Sequence, residues 1–393
     1  MSLSYSVGPA RDDSEFEALM EILRLVFSFP PERGQRYADQ LGHENFRVIR
    51  AGEELAGGLA LIHMGQFFGG CSVPSVGISV VGITPHFRGQ GAGRCLMRRT
   101  VEELHRQGSA LSALYPATQP LYRSAGYEQA GGRWETTLPL NDINISDHEL
   151  QMRPLDEQDA ETVAQLYRDD VMHHHGPLDR NEFIWSRVRE PRGDAAHGQL
   201  VHADGEPEGY IYYVQRPNEG FPPHHLAISD LAARTPRAGR RILTFLSEHR
   251  SMADRAVFYR SPADPLLCLL PEQSGGTRLE MTWMLRIVNI EAALTARGYA
   301  LPVTAELHLN VRDDLIEPNN GPFILRVKDG RGEVTRGGDG RLDIDIRGLA
   351  MLYSGFCPAT ALLATGLLRG SAEDARAADA VFADPTPWMT DIF

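Results

Sequence analysis

The sequence contains no long apolar run. None of its 393 residues falls in a stretch of about 18 consecutive apolar residues, the minimum for a membrane-spanning helix. The N-terminal residues also lack the basic segment followed by an apolar one that marks a secretory signal peptide. We therefore expect a cytoplasmic protein without a membrane partner.

Cysteine is scarce and widely spaced. The four cysteines show neither metal-site spacing nor a disulfide framework; they are Cys71, Cys95, Cys268 and Cys357. The histidine triplet at 173–175 has no set of acidic or cysteine partners at ligand spacing, so we interpret it as a solvated loop. The sequence thus predicts no metal centre.

Basic residues are outnumbered by acidic ones, 39 against 52, and the formal net charge is −13. Proteins that bind nucleic acid through its phosphates need a basic surface, so we expect no nucleic-acid partner. An acidic surface is compatible with a cationic substrate such as an amine. The hydrophobic content of 42% is typical of a globular protein, and the length predicts two or three domains.

The most informative stretch runs from Val80 to Gly93. Its first residues are mostly β-branched and predict a strand, which a Thr-Pro pair ends. After Gly93, apolar residues recur at helical spacing and predict a helix. A strand, a glycine-rich loop and a helix therefore follow one another directly.

Glycines at 89, 91 and 93 precede and open that helix. Backbone N–H groups in the first turn of a helix lack intrahelical partners and lie at the positive end of its dipole. Without side chains in the way, they can bind a phosphate. The loop has neither the Gly-Lys-Ser/Thr ending of a P-loop nor the glycine spacing of a dinucleotide-binding fingerprint. The alternative interpretation is a structural glycine-rich turn.

The surrounding pattern predicts a mixed α/β domain, to which we assign residues 1–147. Ser14 and Glu17 form a capping box that predicts a helix ending at Pro30-Pro31. Strands are expected near 46–50, 55–64, 77–83, 111–115 and 134–138, with a short helix at 121–125.

Residues 148–286 weakly repeat this arrangement. Thr235-Pro236 matches Thr84-Pro85, but the following glycine loop is reduced to three residues, which predicts a diverged copy without a phosphate cradle. Residues 287–393 predict a small α+β domain with a four- or five-stranded antiparallel sheet. Its hairpin turns are expected at 319–321 and 328–332.

The chain ends on an apolar segment, Trp388-Met389-Thr390-Asp391-Ile392-Phe393. Chain ends are usually polar and frayed, whereas these apolar side chains are of types that are normally buried. Burial would carry the α-carboxylate inward at a desolvation cost, which suggests a use for it. From these residues alone the preferred interpretation is a tail that packs on the surface with its carboxylate in water.

Together these features resemble the Eis family of acetyltransferases. The resemblance rests on the spacing Arg88-x-x-Gly91-x-Gly93, the segment 121–127, the three-part layout and the terminal phenylalanine. It implies two tandem GNAT folds, the second degenerate, followed by a sterol-carrier-protein-type-2-like domain. The implied activity is transfer of an acetyl group from acetyl-CoA to a primary amine without a metal, by a homohexamer.

The resemblance also implies which residues bind acetyl-CoA. The matching positions are Val81 and Ile83 on the strand, and Arg88, Gly89, Gly91 and Gly93 in the loop. The family often has further arginines after the first one. Here glycine and glutamine stand in those places, so phosphate binding would depend more on backbone N–H groups.

Tyr122 matches the family's general acid, and Phe393 matches the residue whose terminal carboxylate is the general base. A buried carboxylate can remove the proton that an amine must lose, and a phenol can protonate the departing thiolate. Tyr115 and Tyr127 are the alternative acids.

The acceptor stays open from sequence. Phe27 and Phe29 fall where the family's acceptor pocket begins, although core packing explains them equally well. Aminoglycosides, polyamines, lysine side chains and peptides are all candidates, and Ile392 after Asp391 does not favour aminoglycosides. The alternative function is a lipid- or sterol-binding protein with a vestigial acetyltransferase part. The intact glycine loop beside its degenerate copy argues against that alternative.

Overall fold

The computed structural model describes residues 4–273, 275–383 and 385–393, and it divides into two compact units. The first unit comprises the chain up to Gly131, Thr282–Pro385 and Phe393. The second unit comprises Gly132–Met281 and Thr386–Ile392. Both consist of mixed sheets flanked by helices, as the sequence predicts. None of the helices in the described ranges is both long and apolar enough to cross a membrane.

The helices and strands follow in chain order. The N-terminal elements are β1 (Tyr5–Gly8), α1 (Asp13–Phe27), α2 (Pro31–Leu41), β2 (Phe46–Ala51), β3 (Glu54–Phe68), β4 (Cys71–Ile83), α3 (Ala92–Arg106), β5 (Leu111–Leu114), α4 (Gln119–Arg123) and β6 (Glu128–Pro139). The central elements are β7 (Gln151–Pro154), α5 (Ala160–Val171), β8 (Leu178–Asp179), α6 (Glu182–Arg189), β9 (His197–Ala203), β10 (Glu206–Pro217), β11 (His224–Ala233), α7 (Pro236–Glu248), β12 (Ala253–Tyr259) and β13 (Gly276–Ile287). The C-terminal elements are α8 (Ile290–Ala296), β14 (Ala305–Arg312), β15 (Gly321–Lys328), β16 (Arg331–Arg336), β17 (Leu342–Asp345), α9 (Ile346–Ser354), α10 (Ala359–Ala364), β18 (Leu368–Arg369) and α11 (Ala372–Phe382).

The two units repeat one strand order. In the first, the order is β1-β2-β3-β4-β5-β13, with β4 and β5 parallel and the other neighbours antiparallel. In the second, β7-β9-β10-β11-β12-β6 has the same senses, with β11 and β12 parallel. Helices α3 and α7 follow β4 and β11. The predicted repeat is therefore confirmed, but the sequence does not reveal that β13 and β6 each complete the sheet of the other repeat.

The first helix differs from the prediction at both ends. Its N-cap is Asp12, whose carboxylate accepts a hydrogen bond from the Glu15 N–H at 2.9 Å, so the predicted Ser14 capping box is wrong. Two such caps compete for the same N-terminal N–H groups, and the earlier one forms here. The helix ends at Ser28, which has a left-handed φ of 52°. An unpredicted helix, α2, then begins with Pro31 in its first turn.

The C-terminal strands form a five-stranded sheet in the order β16-β15-β14-β17-β18. Because β14 and β17 are parallel, the predicted all-antiparallel sheet is wrong. The turn after Lys328 is confirmed, with left-handed Asp329 and Gly330 joining β15 to β16. The hairpin predicted at 319–321 is confirmed, since β14 and β15 pair antiparallel on either side of this segment, but its tight turn is wrong. Asn319 and Asn320 instead hydrogen-bond to Asp313 and close a longer connection.

A buried ion pair stabilises the first unit. Arg286 on β13 is fully buried and donates to the Asp313 carboxylate at 2.6 Å. That carboxylate also accepts bonds from the Leu315 and Ile316 N–H groups. Removing one partner of such a pair leaves an uncompensated charge in a low-dielectric interior.

We therefore expect Asp313→Ala to lower the free energy of unfolding by about 3–5 kcal/mol. Urea unfolding followed by fluorescence measures this change. Glu102→Ala is the matched control, because its ion pair with Arg99 lies on the exposed side of α3. We expect no resolvable change for the control, since exposed pairs contribute little. Equal stability of the two variants would contradict the prediction.

Candidate active site

The loop between β4 and α3 exposes backbone at the start of a helix. Gly89 and Gly91 have left-handed φ values of 74° and 85°, and Gly91 is the N-cap of α3. A Cβ built on either glycine would meet nothing within 4 Å, so the space around them is open. The first N–H groups of α3 therefore begin at a bare, accessible loop, which is the arrangement that an anion needs.

Two other predicted loop residues have different surroundings. Arg88 is exposed, and its Nε donates to the Ile83 carbonyl at 3.0 Å, which folds the side chain back over the loop. A Cβ on Gly93 would lie 3.5 Å from Leu121 on α4, an ordinary packing distance. Gly93 thus faces the neighbouring helix, and the bare part of the loop is at Gly89 and Gly91.

Gly91→Ala is expected to raise the KM for acetyl-CoA about tenfold. A left-handed φ costs an L-residue roughly 1–2 kcal/mol, and relieving it would turn the first N–H groups of α3 away from the loop. Gly108→Ala is the matched control, because Gly108 follows the same helix with a φ of 80° and equally open surroundings. Both variants should lose similar stability in thermal unfolding, but steady-state kinetics should show the KM change only for Gly91→Ala. Equal KM values would contradict the prediction.

Strand β4 contains a bulge just before the loop. Gly82 pairs with Gly58 and Ser79 with Ala60, so Val80 and Val81 together oppose one residue of β3. Val80 has a φ of 47°, which is rare for a β-branched residue. Strained backbone and β-bulges both concentrate at functional sites. The sequence indicated a strand here but not this distortion.

β4 and β5 separate after Gly77, before the bulge. They pair only between Ser75–Gly77 and Leu111–Ala113, whereas β4 continues to Ile83. Val81 and Ile83 lie in this separated part, with half-buried side chains packed on the core under α3. A strand edge without its neighbour can bind an extended amide chain through its backbone.

Tyr122 on α4 is buried in the apolar core on which α3 packs. Its ring meets Tyr127 edge-on at 6.4 Å, and burial raises the pKa of the phenol, which keeps it protonated at neutral pH. Burial also raises the pKa of Tyr127. The Tyr127 hydroxyl is 2.7 Å from Ser112, which itself donates to the Val76 carbonyl, so the phenol proton is engaged there.

The terminal residue lies against β4 and β5 in the first unit. The Phe393 ring is 5.8 Å from Tyr115, at an angle of 67°. A Cβ on Gly77 would lie 2.7 Å from the same ring, so glycine is needed there to make room for it. Gly77 is also the last β4 residue that pairs with β5. The chain end therefore lies where the two strands begin to separate.

The preceding tail residues lie in the second unit. Trp388 and Met389 are about 1% exposed, as predicted, but Ile392 is 41% exposed, so the prediction that it is buried is wrong. Asp391 is also buried, and it pairs with Arg180 at 3.0 Å. A buried aspartate held by a distant arginine has no local sequence signal, and the sequence interpretation missed it.

The remaining predicted positions are the aromatic pair Phe27 and Phe29 and the histidine triplet at 173–175. Phe27 is exposed and stacks on Phe29 at 6.4 Å, and Phe29 packs over Gly34 of α2. The expectation of a solvated loop is wrong for His175, which is buried while its carbonyl accepts a bond from the Trp388 N–H. Within the described residues, no group of three His, Cys, Asp or Glu side chains could hold a metal ion.

Comparison with known proteins shows the family to which the chain belongs. Residues 9–130 and 176–287 match models of an acetyltransferase (GNAT) domain, and residues 290–390 match a sterol carrier protein domain. The N-acetyltransferase Eis of Mycobacterium tuberculosis is 30% identical over 349 residues, covering 81% of this chain and 80% of its own. The chain belongs to the Eis family of N-acetyltransferases. The predicted tandem GNAT and sterol-carrier-like folds are therefore confirmed, and the protein is an acyltransferase.

Solved structures extend the comparison. A GCN5-related N-acetyltransferase from Anabaena variabilis is 39% identical, covers 99% of this chain and 100% of its own, and has a TM-score of 0.94. Eis1 from Mycobacterium abscessus shares the fold at 21% identity, with a TM-score of 0.80 and coverage of 99% and 100%. GNAT acetyltransferases use acetyl-CoA as their cosubstrate, so the bare glycine loop and the separated β4 and β5 belong to a fold that binds this molecule.

Proposed function

We propose that this Eis-family enzyme transfers an acetyl group from acetyl-CoA directly to a primary amine in a ternary complex. The observation that carries the proposal is the position of Phe393 beside Gly77, where β4 and β5 begin to separate. The bare glycine loop and Tyr122 are in the same unit as Phe393. A basic group, an acidic group and an anion cradle therefore come from one compact part of the molecule.

The residues of the β4–α3 segment fit acetyl-CoA. Gly89 and Gly91 leave the N-terminus of α3 free for a pyrophosphate, and Arg88 is exposed beside them. Val81 and Ile83 lie in the part of β4 that does not pair with β5, and such an edge suits the amide groups of a pantetheine arm. The Ile83 carbonyl there already accepts one bond, from the Arg88 Nε. The bulge at Val80 turns backbone groups out of the ladder, where an N–H can stabilise the oxyanion that forms on the thioester carbonyl.

The terminal carboxylate of Phe393 acts as general base. An amine is protonated at neutral pH and must lose that proton before its nitrogen can attack a thioester. In our proposal the carboxylate takes that proton, directly or through one water, before the new C–N bond forms. No acyl-enzyme is needed, so the mechanism requires no nucleophilic cysteine.

Tyr122 acts as general acid. When the tetrahedral intermediate collapses, the C–S bond breaks and the electron pair leaves on sulfur. The Tyr122 hydroxyl donates its proton to that thiolate, and the resulting tyrosinate regains a proton from the acetylated nitrogen, which must lose its second proton to become a neutral amide. The raised pKa of this buried phenol supports the assignment, since the acid must hold its proton until this step.

The proposal also covers the amine acceptor, the domain boundaries and the oligomeric state. The acceptor class includes aminoglycoside-like amines, polyamines and lysine amines. Exposed Phe27, stacked on half-buried Phe29 near the end of α1, is the proposed wall of the acceptor pocket. We carry over three domains, at 1–147, 148–286 and 287–393, and a homohexamer from the family resemblance. Sedimentation of the full chain tests the assembly.

A thiol-release assay tests the activity. It compares the wild-type chain with a variant extended by two residues beyond Phe393, using acetyl-CoA and a panel of amines. We expect turnover with at least one amine class and at least a hundredfold loss in the extended variant, because extension removes the carboxylate from its place. Lys328 is the only lysine of the chain, so Lys328→Arg controls for self-acetylation at an ε-amine.

The extended variant should still bind acetyl-CoA, which calorimetry measures. Full activity in that variant would overturn the role of the carboxylate and leave the acetyltransferase activity standing. Acetyl-CoA binding without turnover on any amine would overturn the proposed acceptor class.

A further inference from the structure

We propose that Asp391, held by Arg180, is a positioning residue that sets the place of the terminal carboxylate. This inference rests on the proposed role of Phe393 as general base. Asp391, Arg180 and Asp230 form a buried group in the second unit, which we call the tail latch. It is formed between segments far apart in sequence, so nothing in the local pattern of the tail indicates it.

Arg180 contacts two carboxylates and two aromatic rings. Its Nε lies 3.0 Å from both carboxylate oxygens of Asp391, and its Nη2 lies 3.2 Å from Asp230. The guanidinium stacks 3.7 Å above the ring of Tyr167 and 4.7 Å from that of Trp185. The Arg180 side chain is 0% exposed. A planar cation fixed in this way gives Asp391 one defined position.

Asp230 is itself fixed from a third element. The hydroxyl of Tyr210 on β10 donates to its carboxylate at 2.5 Å. Arg180 therefore links β10 and β11, through Asp230, to the tail. The latch is continuous with the core of the second unit and is not a surface ion pair.

Two hydrogen bonds from side chains to backbone carbonyls anchor the tail just before Asp391. The Arg133 Nε donates to the Thr390 carbonyl at 2.9 Å, and the Thr390 hydroxyl donates to the Tyr259 carbonyl at 2.7 Å. Beyond Asp391 the attachment is weaker. Ile392 is exposed, and its carbonyl accepts one 3.3 Å bond from Arg187. Asp391 is thus the last residue whose side chain anchors the second-unit part of the tail.

Chain length then limits where the carboxylate can lie. Two residues span at most roughly 7 Å, so the position of Asp391 confines Phe393 to that reach, and the ring contacts with Gly77 and Tyr115 place it within this range. A general base must come within about 2.6–3.2 Å of the proton that it takes, and a misplacement of about 1 Å can lower a rate a hundredfold. A single-residue shift of register would therefore remove the base.

A purely stabilising role explains the latch less well. Well-packed apolar residues often match or exceed the stability of a buried ion pair, whereas buried polar groups can specify register. Two carboxylates share one arginine here, and one of them comes from the tail. This ion pair forms in one register of the tail and would be lost in registers shifted by one residue.

Two single-glycine insertions test the proposal. One glycine is placed between Pro385 and Thr386, which are both exposed and precede the latch. The other is placed between Asp391 and Ile392, after the latch. We expect the first variant to keep kcat within about threefold and the second to lose at least a hundredfold. The KM for acetyl-CoA should stay within about threefold in both. Equal losses in the two variants would overturn the latch.

Substitutions of Asp391 provide the second measurement. Asp391→Ala should lower kcat ten- to a hundredfold without changing the KM for acetyl-CoA, and Asp391→Asn should recover part of kcat because an amide oxygen still accepts from Arg180. Asp159→Asn is the control, since it alters another buried aspartate, which pairs with the exposed Arg153 away from the tail. Wild-type kcat in Asp391→Ala, with Phe393 deletion inactive, would overturn the latch alone. Wild-type kcat in both would overturn the base assignment itself.

Discussion

Deletion of Phe393 is expected to lower kcat by about 10²- to 10⁴-fold, the range that one general base contributes. The shortened chain would end at Ile392, and its carboxylate would move back by one residue, about 3.3–3.8 Å. The phenyl ring would also leave the space beside Gly77 that now holds it. Steady-state thiol release at saturating amine measures the change.

Phe393→Leu is the matched control for this deletion. It keeps the carboxylate at position 393 and removes only the ring contacts with Tyr115. We expect a loss of at most about tenfold, from looser positioning of the terminus. Acetyl-CoA binding should be unchanged in both variants, because the glycine loop is intact. If the control lost as much activity as the deletion, the ring and not the carboxylate would be the important group.

Tyr122→Phe is expected to lower kcat by about 10²- to 10³-fold and to leave acetyl-CoA binding nearly unchanged. The substitution removes one hydroxyl and keeps the ring that packs edge-on against Tyr127. The effect should therefore appear in the chemical step and not in stability. Single-turnover kinetics with pre-bound acetyl-CoA separates that step from product release.

Two tyrosines serve as controls for the acid. Tyr127→Phe removes the hydroxyl that bonds to Ser112 and should lower stability by about 1 kcal/mol with kcat within a few-fold of wild type. Tyr115→Phe keeps the ring contact with Phe393 and should also retain activity. If Tyr115→Phe were the inactive variant and Tyr122→Phe the active one, the general acid would be Tyr115.

Much of the fold follows from local pattern. Residues 80–106 predict a strand, a glycine loop and a helix because each depends on neighbours a few positions away: β-branched residues, bare glycines and an apolar stripe. The same reasoning found the repeat at Thr235-Pro236. It predicted the hairpin at 319–321 but not the length of its connection, because Asn320 bonds to Asp313 across a longer loop. Local turn chemistry could not anticipate that partner.

By itself, the sequence determined the bare helix start at Gly89 and Gly91 and the unusual apolar end at Phe393, whereas Tyr122 as the candidate acid came from the family resemblance. Only the tertiary structure decided that the Phe393 ring lies beside Gly77, that Val80 forms a bulge, and that Arg180 holds Asp391 across 211 positions of chain. The physical reason is the separation in sequence between the residues that interact. Glycine conformation and helix starts depend on adjacent residues, whereas a packed ring, a strand bulge and a buried ion pair depend on partners that only the folded chain brings together.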